Sequence, residues 1–254
     1  MNAIRFGLNG TPRAETEVSP STTVLDWLRA QRLTGTKEGC AEGDCGACTI
    51  VLDRGARRNP RYQAVNSCLM LMPQLSGLDV LTVEGLARNG ELHPVQKLLV
   101  ATDGTQCGFC TPGFVMAMYA FAQGSEPRDE THIHEALAGN LCRCTGYRAI
   151  VDACRKIPVP ERDRNGDDAM TGQHAWRFIN SGQQFAAPDS IAELLELRAA
   201  NPEAILWAGG TDLGLRASKD RESFPLVLST GNLPELKQIK ETGGQSAPDG
   251  RSSW

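Results

Sequence analysis

Apolar residues alternate with polar ones at the start of the chain, and further on they recur every three to four residues. Ile4, Phe6 and Leu8 alternate ahead of Asn9-Gly10, which predicts a strand entering a hairpin turn. Thr23 then precedes VLDWLRAQR, where Val24, Leu25 and Leu28 form a helical stripe behind an N-cap residue. Short apolar runs predict strands at about 49–52 and 80–83. Beyond these the period becomes helical, with stripes at Val95/Leu98/Leu99, Phe114/Met118/Phe121, Ile133/Leu137 and Ile150/Val151/Cys154. Four stripes predict four helices in a small bundle. The polar, turn-rich stretch PVPERDRNGDDAMTGQH (158–174) marks a linker, bounded at 159–174. After it, Ser190 and Glu193 have capping-box spacing and open a helix expected to turn Ile191, Leu194 and Leu195 inward. A short apolar strand, ILWA, follows and runs into GGTDLGL. The pattern predicts an α+β multidomain chain with units at 1–84, 85–158 and 175–245 and a polar tail at 246–254.

Composition changes this picture little. At 254 residues there is room for two or three small cores, and 41% hydrophobic with 22% charged residues is ordinary for a globular chain. The net charge of −4 and the lack of a basic run argue against nucleic acid as a partner. The opening MNAIRFGLNGTP has no apolar signal core, and no apolar run approaches membrane-spanning length. A cytoplasmic protein with no membrane partner is expected.

The nine cysteines alter it most. Cys40, Cys45 and Cys48 read C-x4-C-x2-C, and Cys68 follows, the plant-type spacing of a [2Fe–2S] cluster. Gly39, Gly43 and Gly46 leave room for that loop to wrap and for its N–H groups to turn toward sulfur. A structural zinc site is the alternative, but zinc motifs pair cysteines at both ends, and the isolated Cys68 suits that poorly. The second set, Cys107/Cys110 and Cys142/Cys144, is compatible by spacing alone with iron–sulfur, zinc or a redox dithiol. Both pairs precede helical stripes, so helix N-termini are expected to face a negatively charged cluster there. Cys154 shares a helical face with Ile150 and reads as a buried small hydrophobe. The same holds for Met116, Met118, Phe114 and Phe121, which read as core. His132 and His134 follow the acidic stretch EPRDET and read as a solvated helix start rather than as metal ligands. In ILWAGGTDLGL a strand meets a glycine-rich turn and a helix start. Such a turn can cradle a diphosphate or be a plain loop, and it is neither a GxGxxG fingerprint nor a P-loop.

Taken in order, GCAEGDCGACT, the lone cysteine of NSCL, QCGFCTPGF and GNLCRCTGY resemble the iron–sulfur region of the molybdenum hydroxylases, the xanthine dehydrogenase and aldehyde oxidase family. The resemblance implies two [2Fe–2S] clusters. Cys40, Cys45, Cys48 and Cys68 would hold one in a β-grasp, ferredoxin-like domain, and Cys107, Cys110, Cys142 and Cys144 the other in a four-helix domain. It implies that Gln106 contacts the pterin of a molybdenum cofactor on a partner large subunit. The segment from Phe185 to Leu215 resembles the start of the family's α/β FAD-binding domain, which implies Ala208, Gly209, Gly210, Thr211, Asp212 and Leu213 at the flavin's diphosphate, with Trp207 flanking them in the cofactor site. With this segment fused behind the clusters, the arrangement is similar to the iron–sulfur/FAD subunit of xanthine dehydrogenase. That subunit passes electrons from molybdenum through the clusters to FAD and then NAD in hypoxanthine and xanthine oxidation. Small subunits of aldehyde, carbon monoxide or isoquinoline oxidoreductases are the alternatives, as is a zinc-stapled protein without activity. The polar ending TGGQSAPDGRSSW departs from the family's longer flavin domain, so a truncated, half-built flavin site is expected. Nothing in the sequence resembles a molybdenum pocket, and substrate turnover is expected only in a complex.

Overall fold

A computed structural model of the chain describes residues 3–55, 60–158 and 175–238, together with the backbone of 241–242 and 245–246. The expected linker at 159–174 and the tail beyond 246 lie outside the described residues. Strand β1 (Ile4–Leu8) turns through Asn9 and Gly10, both at positive φ (51° and 80°), into β2 (Thr11–Glu15). That pair of angles matches the right-handed twist of a two-residue hairpin. Helix α1 (Val24–Ala30) starts where Thr23 Oγ1 accepts the Asp26 N–H at 3.1 Å. Val24, Trp27 and Leu28 bury against Ile4, Phe6 and Leu8. With β3 (Thr49–Asp53), β4 (Tyr62–Asn66) and β5 (Asp79–Leu81) the sheet has the order β2-β1-β5-β3-β4, with β1 and β5 parallel. Five strands wrapped on one helix make a β-grasp. The apolar pattern did not reveal β2, because TPRAE is solvated along nearly its whole length at the sheet edge, where Pro12 is tolerated. The strand expected at 80–83 stops at Leu81. Thr82 Oγ1 accepts from Asn9 at 3.0 Å and donates to Glu84 at 2.6 Å, folding Val83–Gly85 into a 3-10 turn.

Helices α2 (Pro94–Ala101), α3 (Thr111–Gln123), α4 (Glu130–Leu137) and α5 (Arg148–Arg155) enclose the second core. The expected stripes fill it: Val95, Leu99, Phe114, Met116, Met118, Phe121, Ile133, Leu137, Ile150 and Cys154 are all buried there. Val51 joins them, while Ile50 and Leu52 point into the first core. Strand β3 therefore buries both faces, which is why it reads as an unbroken apolar run. The two units are pinned at Gly46 (φ 64°), where Asn140 Nδ2 donates to the Gly46 carbonyl at 2.9 Å and to Thr49 Oγ1 at 3.1 Å. Of the two predicted non-ligand histidines, His132 pairs with the α4 cap residue Asp129 at 2.7 Å, and His134 lies near Glu130 at 3.9 Å.

The third unit pairs β6 (Trp176–Asn180) with β7 (Gln183–Ala187), then runs through α6 (Ile191–Ala200), β8 (Ile205–Trp207), α7 (Leu213–Ser218) and β9 (Leu226–Ser229). Its sheet order is β6-β7-β9-β8, with β7, β9 and β8 parallel. Helix α6 corrects one expectation. Leu194 is buried and Leu197 packs beside it, but Leu195 is 61% exposed, because only the i, i+3 positions share the inner face. Ser190 Oγ does accept the Glu193 N–H at 3.3 Å, but the Glu193 carboxylate reaches back to the Asp189 N–H instead of to Ser190. The unit is interleaved with the first one. Phe178 is buried in the ferredoxin-like core and Leu71 in the third core, while Ser21 Oγ donates to Gln183 at 2.6 Å and accepts the Phe224 N–H at 2.9 Å. No helix among the described residues is long and apolar enough to cross a membrane.

Asn140→Ala removes two buried bonds between the first two units and leaves the Gly46 carbonyl only its local bonds from the Thr49 N–H and hydroxyl. It is expected to lower unfolding free energy by about 1–3 kcal/mol, read as a lower urea midpoint. An unchanged midpoint would mean that the contact does not hold the units together.

Candidate metal centres and flavin loop

The Cys40–Cys48 loop winds through Ala41 (φ 56°), Gly43 (φ 84°) and Gly46, and these left-handed steps turn successive N–H groups toward sulfur. Cys40 Sγ accepts from the N–H groups of Glu42 and Cys45, both at 3.4 Å. Cys45 Sγ accepts from Cys40 at 3.4 Å and Ala47 at 3.5 Å. Gly39 serves by its lack of a side chain, since a Cβ there would lie 2.7 Å from Cys45 Sγ. Cys68 arrives from the far end of β4, held by Ser67 Oγ donating to the Cys48 carbonyl at 2.7 Å and by Asn66 Nδ2 donating to the Gly43 carbonyl at 2.7 Å. Cys48 and Cys68 are buried, and Cys40 and Cys45 half-buried.

The second quartet is built at two loops. Cys110 occupies the cap position of α3, with Cys107 exposed ahead of it. Cys142 and Cys144 stand further from α5 than expected, because Tyr147, at φ 67°, takes the cap position. The intervening turn supplies the donors instead. Thr145 gives its N–H at 3.4 Å and its hydroxyl at 3.1 Å to Cys142 Sγ, and the Cys142 N–H donates to the Tyr147 phenol oxygen at 2.9 Å.

The eight thiols approach one another in pairs: Cys40 with Cys45, Cys48 with Cys68, Cys107 with Cys144, and Cys110 with Cys142. In each pair one thiol is held below its ordinary value and the other above it. A hydrogen bond from Cys68 brings Cys48 down to about 7, and the same bond, with burial, drives Cys68 up. Burial and its bond to Cys142 push Cys110 up to about 12. Burial would raise Cys142 too, but the bonds from Thr145 outweigh it. A second thiolate beside a first is costly without a cation, and bound metal removes that cost. No group of three or more Cys, His, Asp or Glu among the described residues converges as on a single ion. Two pairs per quartet would offer four thiolates to a two-iron cluster, a donor set that suits that group. The quartets are joined directly, with the Leu141 N–H, next to Cys142, donating to the Cys45 carbonyl at 3.0 Å.

The glycine-rich turn lies between β8 and α7. Ala208, Thr211 and Asp212 are exposed, Leu213 is half-buried, and Gly209 and Gly210 are buried. Gly210 sits at φ 70° against the Trp207 ring, where a Cβ would approach to 2.7 Å. The Trp207 side chain is fully buried among Leu71, Phe224 and Val227. It is the floor of the turn, and its Nε1 has no hydrogen-bond partner among the described residues. Gln106 is exposed beside Cys107. Sequence reasoning missed Asn140, Tyr147, Ser218 and Lys219. Ser218 Oγ donates to the Ala41 carbonyl at 2.6 Å, and Lys219 pairs with Glu42, which raises the Lys219 pKa.

An electron-carrier region followed by a flavin-binding unit is the class that fold and site define. Residues 6–73 match the model of a 2Fe-2S iron-sulfur cluster binding domain, 82–155 that of a [2Fe-2S] binding domain, and 180–247 that of an FAD binding domain in molybdopterin dehydrogenase. The chain is 38% identical to a chain in the crystal structure of quinoline 2-oxidoreductase from Pseudomonas putida 86. That match covers 61% of this chain and 90% of that one, with a TM-score of 0.53. Over 93% of its length it is 36% identical to aldehyde oxidase 2 of Cavia porcellus, and over 94% it is 33% identical to xanthine dehydrogenase 2 of Arabidopsis thaliana. The chain belongs to the molybdenum hydroxylase family, as its two-cluster iron–sulfur region with the start of its FAD-binding domain. It spans 22% of the length of those two curated relatives. The flavin segment behind the clusters does not single out xanthine dehydrogenase, since aldehyde oxidase 2 aligns across it as well.

Cys144→Ser is expected to remove one of two electron paramagnetic resonance signals of the reduced chain and to leave the other unchanged. Two intact signals would overturn the pairing of Cys144 with Cys107.

Proposed function

We propose that this chain is the electron-transfer part of a xanthine dehydrogenase, carrying electrons from a molybdenum cofactor on a partner large subunit, through two clusters, to FAD and then NAD. The observation that carries the reading is the pairing of all eight thiols, with the two loops tied at Leu141 and Cys45. Cys40, Cys45, Cys48 and Cys68 hold one [2Fe–2S] cluster, and Cys107, Cys110, Cys142 and Cys144 hold the other. Bound there, the clusters supply one-electron steps between two centres that each exchange electron pairs. The chain's own residues set the conditions for those steps. N–H groups of Glu42, Cys45, Cys40 and Ala47 stabilise sulfur charge at the first quartet, and Thr145 does so at the second. Gln106, exposed beside Cys107, contacts the pterin of the molybdenum cofactor in this reading. Ala208, Gly209, Gly210, Thr211, Asp212 and Leu213 receive the FAD diphosphate, with Trp207 shaping the turn from below.

An aldehyde-oxidising complex is the second reading, favoured by the 36% identity to an aldehyde oxidase. The two separate on substrate. In the complex of this chain with its molybdenum-bearing partner, anaerobic xanthine is expected to reduce both clusters and NAD to reoxidise them. Reduction by an aldehyde and not by xanthine would replace the first reading with the second. In the same complex, Gly210→Val forces a side chain onto Trp207 at positive φ and is expected to abolish flavin binding while both cluster signals persist. Retained flavin would remove the turn from the FAD site.

A further inference from the structure

Helix α7 has only six residues, yet it touches both halves of the first thiol quartet. At its start Gly214 packs on Leu69, the neighbour of Cys68, where a Cβ would lie 3.0 Å from the Leu69 side chain. One residue on, Leu215 packs against the group formed by Leu25, Cys48, Cys68 and Leu69. At its end Ser218 Oγ holds the Ala41 carbonyl at 2.6 Å, fixing a non-glycine residue in the left-handed region between Cys40 and Glu42. Lys219 then pairs with Glu42, with side chains 42% and 34% exposed. Arg221, also at positive φ (55°), donates to Asp26 at 2.6 Å and lies 3.8 Å from Glu38. The helix that leads out of the flavin turn thus delivers a cation to an acidic loop containing Glu38, Glu42 and Asp44.

We propose that the Lys219–Glu42 pair is a positioning and tuning element for electron transfer: it sets the reduction potential of the cluster held by the Cys40–Cys48 loop. The inference rests on the cluster assignment above and adds a role for residues outside the ligand set. Reduction adds one negative charge to the cluster, so a nearby cation favours the reduced form and a nearby anion the oxidised form. In the pair the two charges offset one another. Removing Lys219 leaves Glu42 uncompensated and should lower the potential, whereas removing Glu42 leaves Lys219 uncompensated and should raise it. The pair is partly solvated, so the effect is moderate. We expect about a threefold change in the ratio of reduced to oxidised cluster at fixed poise, about 30 mV for one electron.

The test is a redox titration of the full chain with both clusters loaded, followed by electron paramagnetic resonance. The signal that survives in Cys144→Ser identifies the Cys40-loop cluster. Lys219→Met should shift that signal's midpoint downward, Glu42→Gln upward, and the double variant should return close to the parent value, with the other cluster's midpoint fixed throughout. Two single variants that shift in the same direction would mean a disturbed loop, and unmoved midpoints would mean no coupling; either result overturns the proposal. If Lys219→Met does not fold, the upward shift in Glu42→Gln decides alone. Absence of any Cys40-loop signal in the parent chain would instead overturn the cluster assignment on which the proposal stands.

Discussion

The hydrogen bond from Asn140 to the Gly46 carbonyl is the constraint on which the rest of the structure depends. Gly46 lies between two ligand-type cysteines of the first loop, and Asn140 lies two residues before Cys142 of the second. One buried contact therefore fixes the first sheet against the helical unit and fixes the two thiol quartets against each other. A side chain at Gly46 would run into Gly139 and Asn140, so both the positive φ and the missing Cβ are needed. The Leu141 N–H donates to the Cys45 carbonyl at the same junction.

The third unit presses on the same loop from another side. Ser218 and Lys219 reach Ala41 and Glu42, while Leu215 sits against Cys48 and Cys68. The Cys40–Cys48 loop is thus clamped between the helical unit and the flavin-side helix. An electron carrier benefits from such clamping, because a rigid, partly dry ligand shell limits the rearrangement that accompanies a change of charge. The exposed surface near Cys107 and Cys144 contrasts with it: Phe109 and Leu141 are large apolar side chains left about half exposed.

Much of this was legible in the sequence where the signal is local. The alternation of Ile4, Phe6 and Leu8 before Asn9-Gly10 gave strand and turn, the four apolar stripes gave the helices, and the cysteine spacing pointed to the metal chemistry. The rest was hidden for physical reasons. Strand β2 has almost no buried face, and the hairpin of β6 and β7 is short and mixed in polarity, so no period of two stands out. Leu195 looked like an inner residue because it adjoins Leu194, although a helix turns by about 100° per residue. Contacts such as Ser218 with Ala41, or Asn140 with Gly46, join polar atoms far apart along the chain and leave no mark in a local pattern. Trp207, read beside the flavin turn, proved to be the buried floor under it, which only the packing of Leu71 and Phe224 around the ring reveals.

The central claim is that the eight paired thiols hold two [2Fe–2S] clusters. The most direct measurement is the metal and sulfide content of the purified full chain. Two clusters require about four irons and about four acid-labile sulfides per chain. About two zinc ions per chain with no labile sulfide would contradict the account.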